Sequence, residues 1–316
     1  MKSLIITALL FALIAAILPP ALAGDPVIAV FITRDLEPHR EALAGFREEL
    51  RDEGIKAVWE EYHLQGDPEE RSESARRAIK KEPALIFALG TSATRIAAQT
   101  TSQIPIVFAN VLNPRASGLI GDYHGPNGNI TGASLDFNPD ELIALLDKLQ
   151  PDSRRIGLIY RTSNFNGLVD DIAAALRSSG KELLSRRIDN LDGLNQAAEE
   201  LLGRIDIFWM IADHHLFSHQ TTRYLLLETM RRRIPFIGIS PSYVRAGALF
   251  CLYWDSHDIG RQAGEAAGRI LRGDNPAAIP ISRPRKRNIH INYTVASNLN
   301  IEIPDSLIEE AAGSNR

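Results

Sequence analysis

The sequence predicts an α/β protein built as two doubly wound parallel-sheet lobes joined by a multi-crossing hinge. Three observations lead there. Short apolar runs rich in β-branched residues alternate with segments whose apolar residues recur at helical spacing. A Gly-, Pro- and Asn-rich stretch, Asn110–Asn129, interrupts this rhythm, which then starts again. The segments after Ser240 are too few for a third unit, so they complete the two already begun and take the chain between lobes more than once.

In the first series, Val27–Thr33 reads as a strand. Pro38–Glu53 reads as a helix, because Ala42, Leu43, Phe46 and Leu50 fall on one face and Gly54 closes it. Ile55–Tyr62 is the next strand, Pro68–Lys81 a helix and Ala84–Leu89 a buried strand. Gly90-Thr91-Ser92 opens a helix to about Thr100, and Ile104–Ala109 is a strand. In the second series, Pro139–Leu149 is a helix and Arg155–Tyr160 a strand. Asn164–Ser179 is a helix stopped by Gly180, and Glu182–Ile188 is a strand. Leu191–Leu202 is a helix, Ile205–Ile211 a strand, Ser218–Arg232 a helix and Pro235–Ile239 a strand. Ala248–Tyr253 adds a strand, and Asp255–Leu271 adds a helix stopped by Gly273. The expected division puts 24–130 with 241–272 in one lobe and 131–240 with 273–316 in the other, with crossings near Thr131, Ser240 and after Gly273.

Residues 1–23 have the pattern of a cleaved export signal. Lys2 is positive, Leu4–Leu18 is almost wholly apolar, and Pro19-Pro20 is followed by Ala21-Leu22-Ala23. The apolar run is shorter than the roughly 20 residues of a spanning helix. The expectation is cleavage after Ala23 and a free periplasmic chain beginning at Gly24. The 316 residues leave room for two domains. One cysteine, Cys251, excludes an intramolecular disulfide framework, and a net charge of −4 argues against nucleic acid as a partner. Nucleophile-elbow, phosphate-loop and dinucleotide motifs do not occur, so neither an enzyme nor a cofactor is expected.

In open parallel sheets, ligands sit beyond the carboxyl ends of the strands. The candidate ligand residues are therefore those that follow each strand. In the first lobe these are Thr33 and Arg34, Thr91 and Ser92, and Asn110. Thr91 and Ser92 stand at a helix start, where free N–H groups favour an anion and where plain capping is the simpler role. In the second lobe the candidates are Tyr160, Ser163 and Asn164, Asp213, Ser240 and Asp255. Asp213 and Asp255 offer charge for an ammonium, while Tyr160, Tyr253 and Trp254 offer an apolar wall or core packing. His214, His215 and His219 admit a metal reading, but no cysteine or second carboxylate supports it. The basic run Arg283-Pro-Arg-Lys-Arg287 reads as a solvated loop or a contact for a membrane partner.

An ordered set of segments resembles the ABC-transporter substrate-binding proteins whose better-known members bind tryptophan, tyrosine or phenylalanine. The segments are Ala88-Leu-Gly-Thr-Ser-Ala-Thr94, Ile104-Pro-Ile-Val-Phe108, Gly128-Asn-Ile-Thr-Gly132, Arg155-Ile-Gly-Leu-Ile-Tyr160, Ile234-Pro-Phe-Ile-Gly238, Ala246-Gly-Ala-Leu249 and Ile259-Gly-Arg-Gln-Ala-Gly264. Where that family often has Asp-Pro after the fourth strand, this chain has Asn113-Pro114. The resemblance implies a type I periplasmic-binding-protein-like clamp. It would be a monomer that captures an amino-acid-like solute, an aromatic one included, and delivers it to an ABC permease in the inner membrane. An exported sensor subunit docking on a membrane receptor is the alternative.

Overall fold

Two mostly parallel sheets organise the chain. The computed structural model describes residues 24–313, apart from 116, 125–127, 137–138, 162–164 and 214–215. The first sheet has the order β2-β1-β3-β4-β5, all parallel: β1 Val27–Ile32, β2 Val58–His63, β3 Leu85–Leu89, β4 Ile106–Val111 and β5 Ile130–Ser134. The second has the order β11-β10-β9-β8-β6-β7: β6 Arg155–Tyr160, β7 Glu182–Arg187, β8 Ile207–Trp209, β9 Phe236–Gly238, β10 Phe250–Trp254 and β11 Arg287–Ile291. Only β11 among these described strands runs antiparallel to its neighbour.

Helices cover both faces of each sheet, as parallel strands buried on two sides require. On one face of the first sheet lie α1 (Glu37–Asp52) and α9 (Ser256–Leu271), which contribute Phe46, Leu50, Ile259 and Ala263 to a core with Val30 and Phe87. On the other face lie α2 (Pro68–Ile79) and α3 (Gly90–Thr100), packed through Ala75, Ala93 and Ala97 onto Phe31 and Phe108. The second sheet has α4 (Pro139–Leu149), α5 (Asn166–Ser178), α10 (Tyr293–Leu299) and α11 (Asp305–Gly313) on one face. Its other face carries α6 (Leu194–Leu202), α7 (His219–Arg231) and α8 (Pro241–Ala246).

The lobe boundaries differ from the sequence expectation. β5 belongs to the first sheet, so the chain leaves that lobe after Ser134 and not near Thr131. α8 and β10 belong to the second lobe and not the first, because β10 pairs with β9 and β11. The return crossing is therefore at Trp254-Asp255, not at Ser240, and of the late segments α9 and the stretch through Ile279 and Ile281 join the first lobe. Ser282 then bridges Ala133 of β5 before the chain crosses again to β11. Alternation alone could not place β10, since a strand's sheet is decided by pairing with distant segments.

α9 lies on α1 at backbone contact distance. A Cβ added at Gly45 would come within 1.9 Å of the His257 carbonyl oxygen, and one added at Gly260 within 2.0 Å of the Ala42 oxygen. Ion pairs flank this glycine seam: Arg261 reaches Glu48 at 2.6 Å, Glu49 at 2.7 Å and Asp52 at 3.0 Å. In the basic run at the third crossing, Arg285, Lys286 and Arg287 are likewise paired with acids, and Arg283 lies over the Tyr123 ring. Arg285 and Lys286 meet the buried Asp258, Arg285 also meets Glu265, and Arg287 meets Glu310.

Candidate functional site

The carboxyl ends of the strands of both sheets border one cleft of about 1020 Å³. The doubly wound order explains its place: where neighbouring connections leave to opposite faces, the strand ends stay open. From the first lobe come the start of α1 (Leu36 to His39, and Glu41), the end of β4 (Asn110, Leu112) and Leu135. From the second come the segment after β8 (Trp209 to Ala212), the segment after β9 (Gly238 to Ser242), Arg245 and the end of β10 (Leu252 to Trp254). Asp255, Ser256 and His257 lie at the return crossing, and Asn288 comes from the start of the antiparallel β11. The walls are mainly apolar, with a few polar groups between them, which is the usual make-up of a small-molecule site.

Asn110 is the most distinctive of the polar groups. The β4–β5 register shifts between Phe108 and Val111, and Asn110 has φ of 57°, a left-handed conformation that Asn tolerates better than most residues. The bulge re-aims its side chain. The side chain is buried, and its Nδ2 donates to the Pro38 carbonyl at 2.8 Å, which fixes the amide orientation. Its Oδ1 has no hydrogen-bond partner among the described residues.

Three carboxylates, Glu37, Glu41 and Asp255, are lining residues. Burial raises the Glu41 carboxyl above its ordinary pKa. The negative charges of Glu37 and Asp255 add to the rise, and His257 opposes it. The ring of His39 shares Nδ1 with the Arg34 carbonyl at 2.9 Å, and burial lowers its pKa, so the neutral form is favoured. Burial also raises the Tyr253 hydroxyl, with help from the negative charge of Asp255 and Glu41.

Of the residues the sequence singled out, Asn110, Ser240 and Asp255 line this cleft, as do Tyr253 and Trp254 of the suggested apolar wall. Thr33 and Arg34 follow β1 and are not lining residues. Thr91 is partly buried and Ser92 exposed at the start of α3, outside the lining set. Gly90 has φ of 82°, and a Cβ there would lie 3.1 Å from His39 Nε2, so the histidine ring packs directly against this helix start. Tyr160 is in the second-lobe core. Asp213 is buried and serves its own loop, with Oδ2 accepting from the Arg161 N–H at 2.7 Å and Oδ1 from Leu216 N–H at 3.3 Å. It is not a lining residue, which corrects its expected role as the acid facing the cleft.

Ser163, Asn164, His214 and His215 lie outside the described residues. His219 is exposed at the start of α7, behind the cap Ser218. Among the described residues, no group of three His, Cys, Asp or Glu is arranged to hold a metal ion. Cys251 is buried within β10 and its thiol is pushed up to about 12, mainly by burial, which makes it an inert core residue. Sequence reasoning missed Glu37, His39, Glu41, Arg245, His257 and Asn288. All but Asn288 lie on helices a few residues past a strand end, beyond the positions it inspected.

Comparison with known proteins agrees with this architecture. A tyrosine-binding protein of Clostridioides difficile (strain R20291) is 28% identical over 268 residues, covering 83% of this chain and 77% of that one. A solved domain from Streptococcus pneumonia in complex with L-Trp has a TM-score of 0.74 at 22% identity, covering 91% of this chain and 99% of that one. The ligand-free, open structure of a substrate-binding protein with adhesive properties from Clostridium difficile has a TM-score of 0.75 at 24% identity, covering 89% and 96%. The family model described as ABC transporter substrate binding protein matches residues 27–314, and the chain belongs to that family of solute-binding receptors.

Proposed function

We propose that this protein is an exported receptor that captures an amino-acid-like solute between its lobes and passes it to an ABC permease in the inner membrane. The observation that carries this reading is the cleft, walled from both lobes at the carboxyl ends of both sheets. Its volume stands at the upper end of the roughly 300–1,000 Å³ range of small-molecule pockets, which suits an open clamp awaiting closure. The crossings after Ser134, at Trp254-Asp255 and at 283–286 supply the hinge. The tyrosine-binding relative and the L-Trp complex support an amine-bearing ligand, and the aromatic residues Trp209, Tyr253 and Trp254 in the walls favour an apolar or aromatic body. The pattern of residues 1–23 supports cleavage after Ala23, and among the described residues no helix is long and apolar enough to cross a membrane.

The test is mass spectrometry of the small molecule released by mild denaturation of protein purified from its native envelope, with sequencing of the N-terminus. The expected result is a near-stoichiometric amine-bearing metabolite and an N-terminus at Gly24. A sugar or a phosphate ester in its place would refute the ligand class, and a product retaining Met1 would refute the processing.

A further inference from the structure

The charge of the cleft carries the receptor reading one step further, to the class of ligand, and the inference rests on that reading. We propose that the cleft selects an organic cation, a protonated amine on an apolar or aromatic body, and that Asn110 Oδ1 anchors its N–H while a carboxylate on the ligand is dispensable.

Asn110 is only 7% exposed, and its one described hydrogen bond uses Nδ2. The free Oδ1 accepts hydrogen bonds and cannot donate them. A buried acceptor left without a partner is costly, so a ligand N–H placed there gains that energy, whereas a ligand carboxylate would meet oxygen against oxygen. The carboxylates of Glu37, Glu41 and Asp255 repeat the preference on a larger scale. The raised pKa of Glu41 reflects their mutual repulsion as well as burial, and a bound cation would relieve it.

Positive charge does not balance this wall. His39 is held toward its neutral form, and His257 Nε2 lies 3.3 Å from Glu48, which competes for it. Arg245 is the one Lys or Arg among the described lining residues, and it is exposed at the end of α8 in the second lobe. A zwitterion would leave the negative excess largely uncompensated, while a monocation reduces it. Trp209, Tyr253 and Trp254 add aromatic surface, which attracts a cation as well as an apolar body.

The experiment is calorimetric titration of the mature chain with two matched sets of probes. One set is tyramine, L-tyrosine and 4-hydroxyphenylpropionate; the other is tryptamine, L-tryptophan and indole-3-propionate. In at least one set the amine is expected to bind as tightly as the amino acid or more so, and the deaminated acid about 100-fold more weakly or not at all. Asn110→Ala is expected to weaken the amine about tenfold, and Glu41→Gln, on an exposed position that tolerates the change, about threefold or more. An amino acid binding tenfold more tightly than its amine, a deaminated acid binding as well as the amine, or an absence of amine binding in both sets overturns the proposal. So does unchanged amine affinity in Glu41→Gln. None of these outcomes touches the receptor reading, which stands or falls on the solute that co-purifies.

Discussion

Replacing Gly260 with alanine tests how the return segment is seated. In an isolated helix the change is favourable by about 1 kcal/mol. Here the new methyl would stand 2.0 Å from the Ala42 oxygen, 2.7 Å from its carbonyl carbon and 2.8 Å from its Cα. All three are backbone atoms of α1, so no side chain can rotate away and the two helices must separate. Overpacking of this kind costs about 1–3 kcal/mol, and a backbone-to-backbone clash belongs at or above the upper end. The propensity gain offsets part of this, leaving a net loss of about 2 kcal/mol, or a fall in Tm of about 4–8 °C for a chain of this size. Gly167→Ala is the control: no described atom lies within 4 Å of its Cβ position in α5, so the propensity gain is what the change adds. Thermal melts of the ligand-free proteins read both effects. Gly260→Ala melting at or above the parent, with Gly167→Ala behaving as expected, would refute the close-packed seam.

Three further outcomes follow from the geometry. Asp213→Ala should destabilise the ligand-free protein by about 1–3 kcal/mol in denaturant titration, because the Arg161 and Leu216 N–H groups lose a buried acceptor; unchanged stability with a selective loss of ligand affinity would return Asp213 to the site. Affinity for an amine probe should fall as pH drops from about 7 to 5, since protonation removes the Glu41 charge and its raised pKa moves that step upward from the ordinary range. Glu37, His39, Tyr253, Asp255, His257 and Arg245 also line the cleft, so the Glu41 share is read as the part of the slope that Glu41→Gln abolishes, and a slope unaltered in that variant contradicts it. Asp136 accepts hydrogen bonds from Tyr123 and from the Asn113 N–H at the first crossing, yet burial raises its pKa above the unfolded value. Its contribution therefore favours folding most below the unfolded carboxylate value of about 3.9 and is lost as pH rises through the folded value. Stability relative to Asp136→Asn should accordingly improve as the solution is acidified, and a difference independent of pH refutes this.

Periodicity located most helices and strands, because buried parallel strands such as Leu85–Leu89 are continuous apolar runs and helices such as Glu37–Asp52 carry a single apolar face. β5 was hidden within Ile-Thr-Gly-Ala-Ser, which is a strand through its pairing with β4 and the bridge to Ser282. β11 was hidden behind a basic run in which Arg285, Lys286 and Arg287 turn out to be paired with acids on other elements. The strand-end rule led to Asn110, Ser240 and Asp255 because topology opens those ends toward the cleft. It misjudged Asp213, whose residue type is right for an ammonium but whose oxygens are taken by backbone N–H groups that only folding brings near. Glu37, Glu41 and Arg245 needed the orientation of a helix in space, which local spacing does not contain.

The late arrival of α9 sets an order of assembly. Ribosomes deliver β1 through β5 first, then β6 through β10 of the second sheet up to Trp254, and only then the helix that covers α1. Until Ser256–Leu271 emerges, Phe46, Leu50 and the groove at Gly45 have no partner layer on that side. The first lobe is therefore unfinished while β6 through β10 are being made, and a chain cut after β10 would keep the strands of its first sheet but not the layer that seals them. Neither lobe is a separable piece of gene: the first waits for α9, and the second is closed only afterwards by β11, α10 and α11.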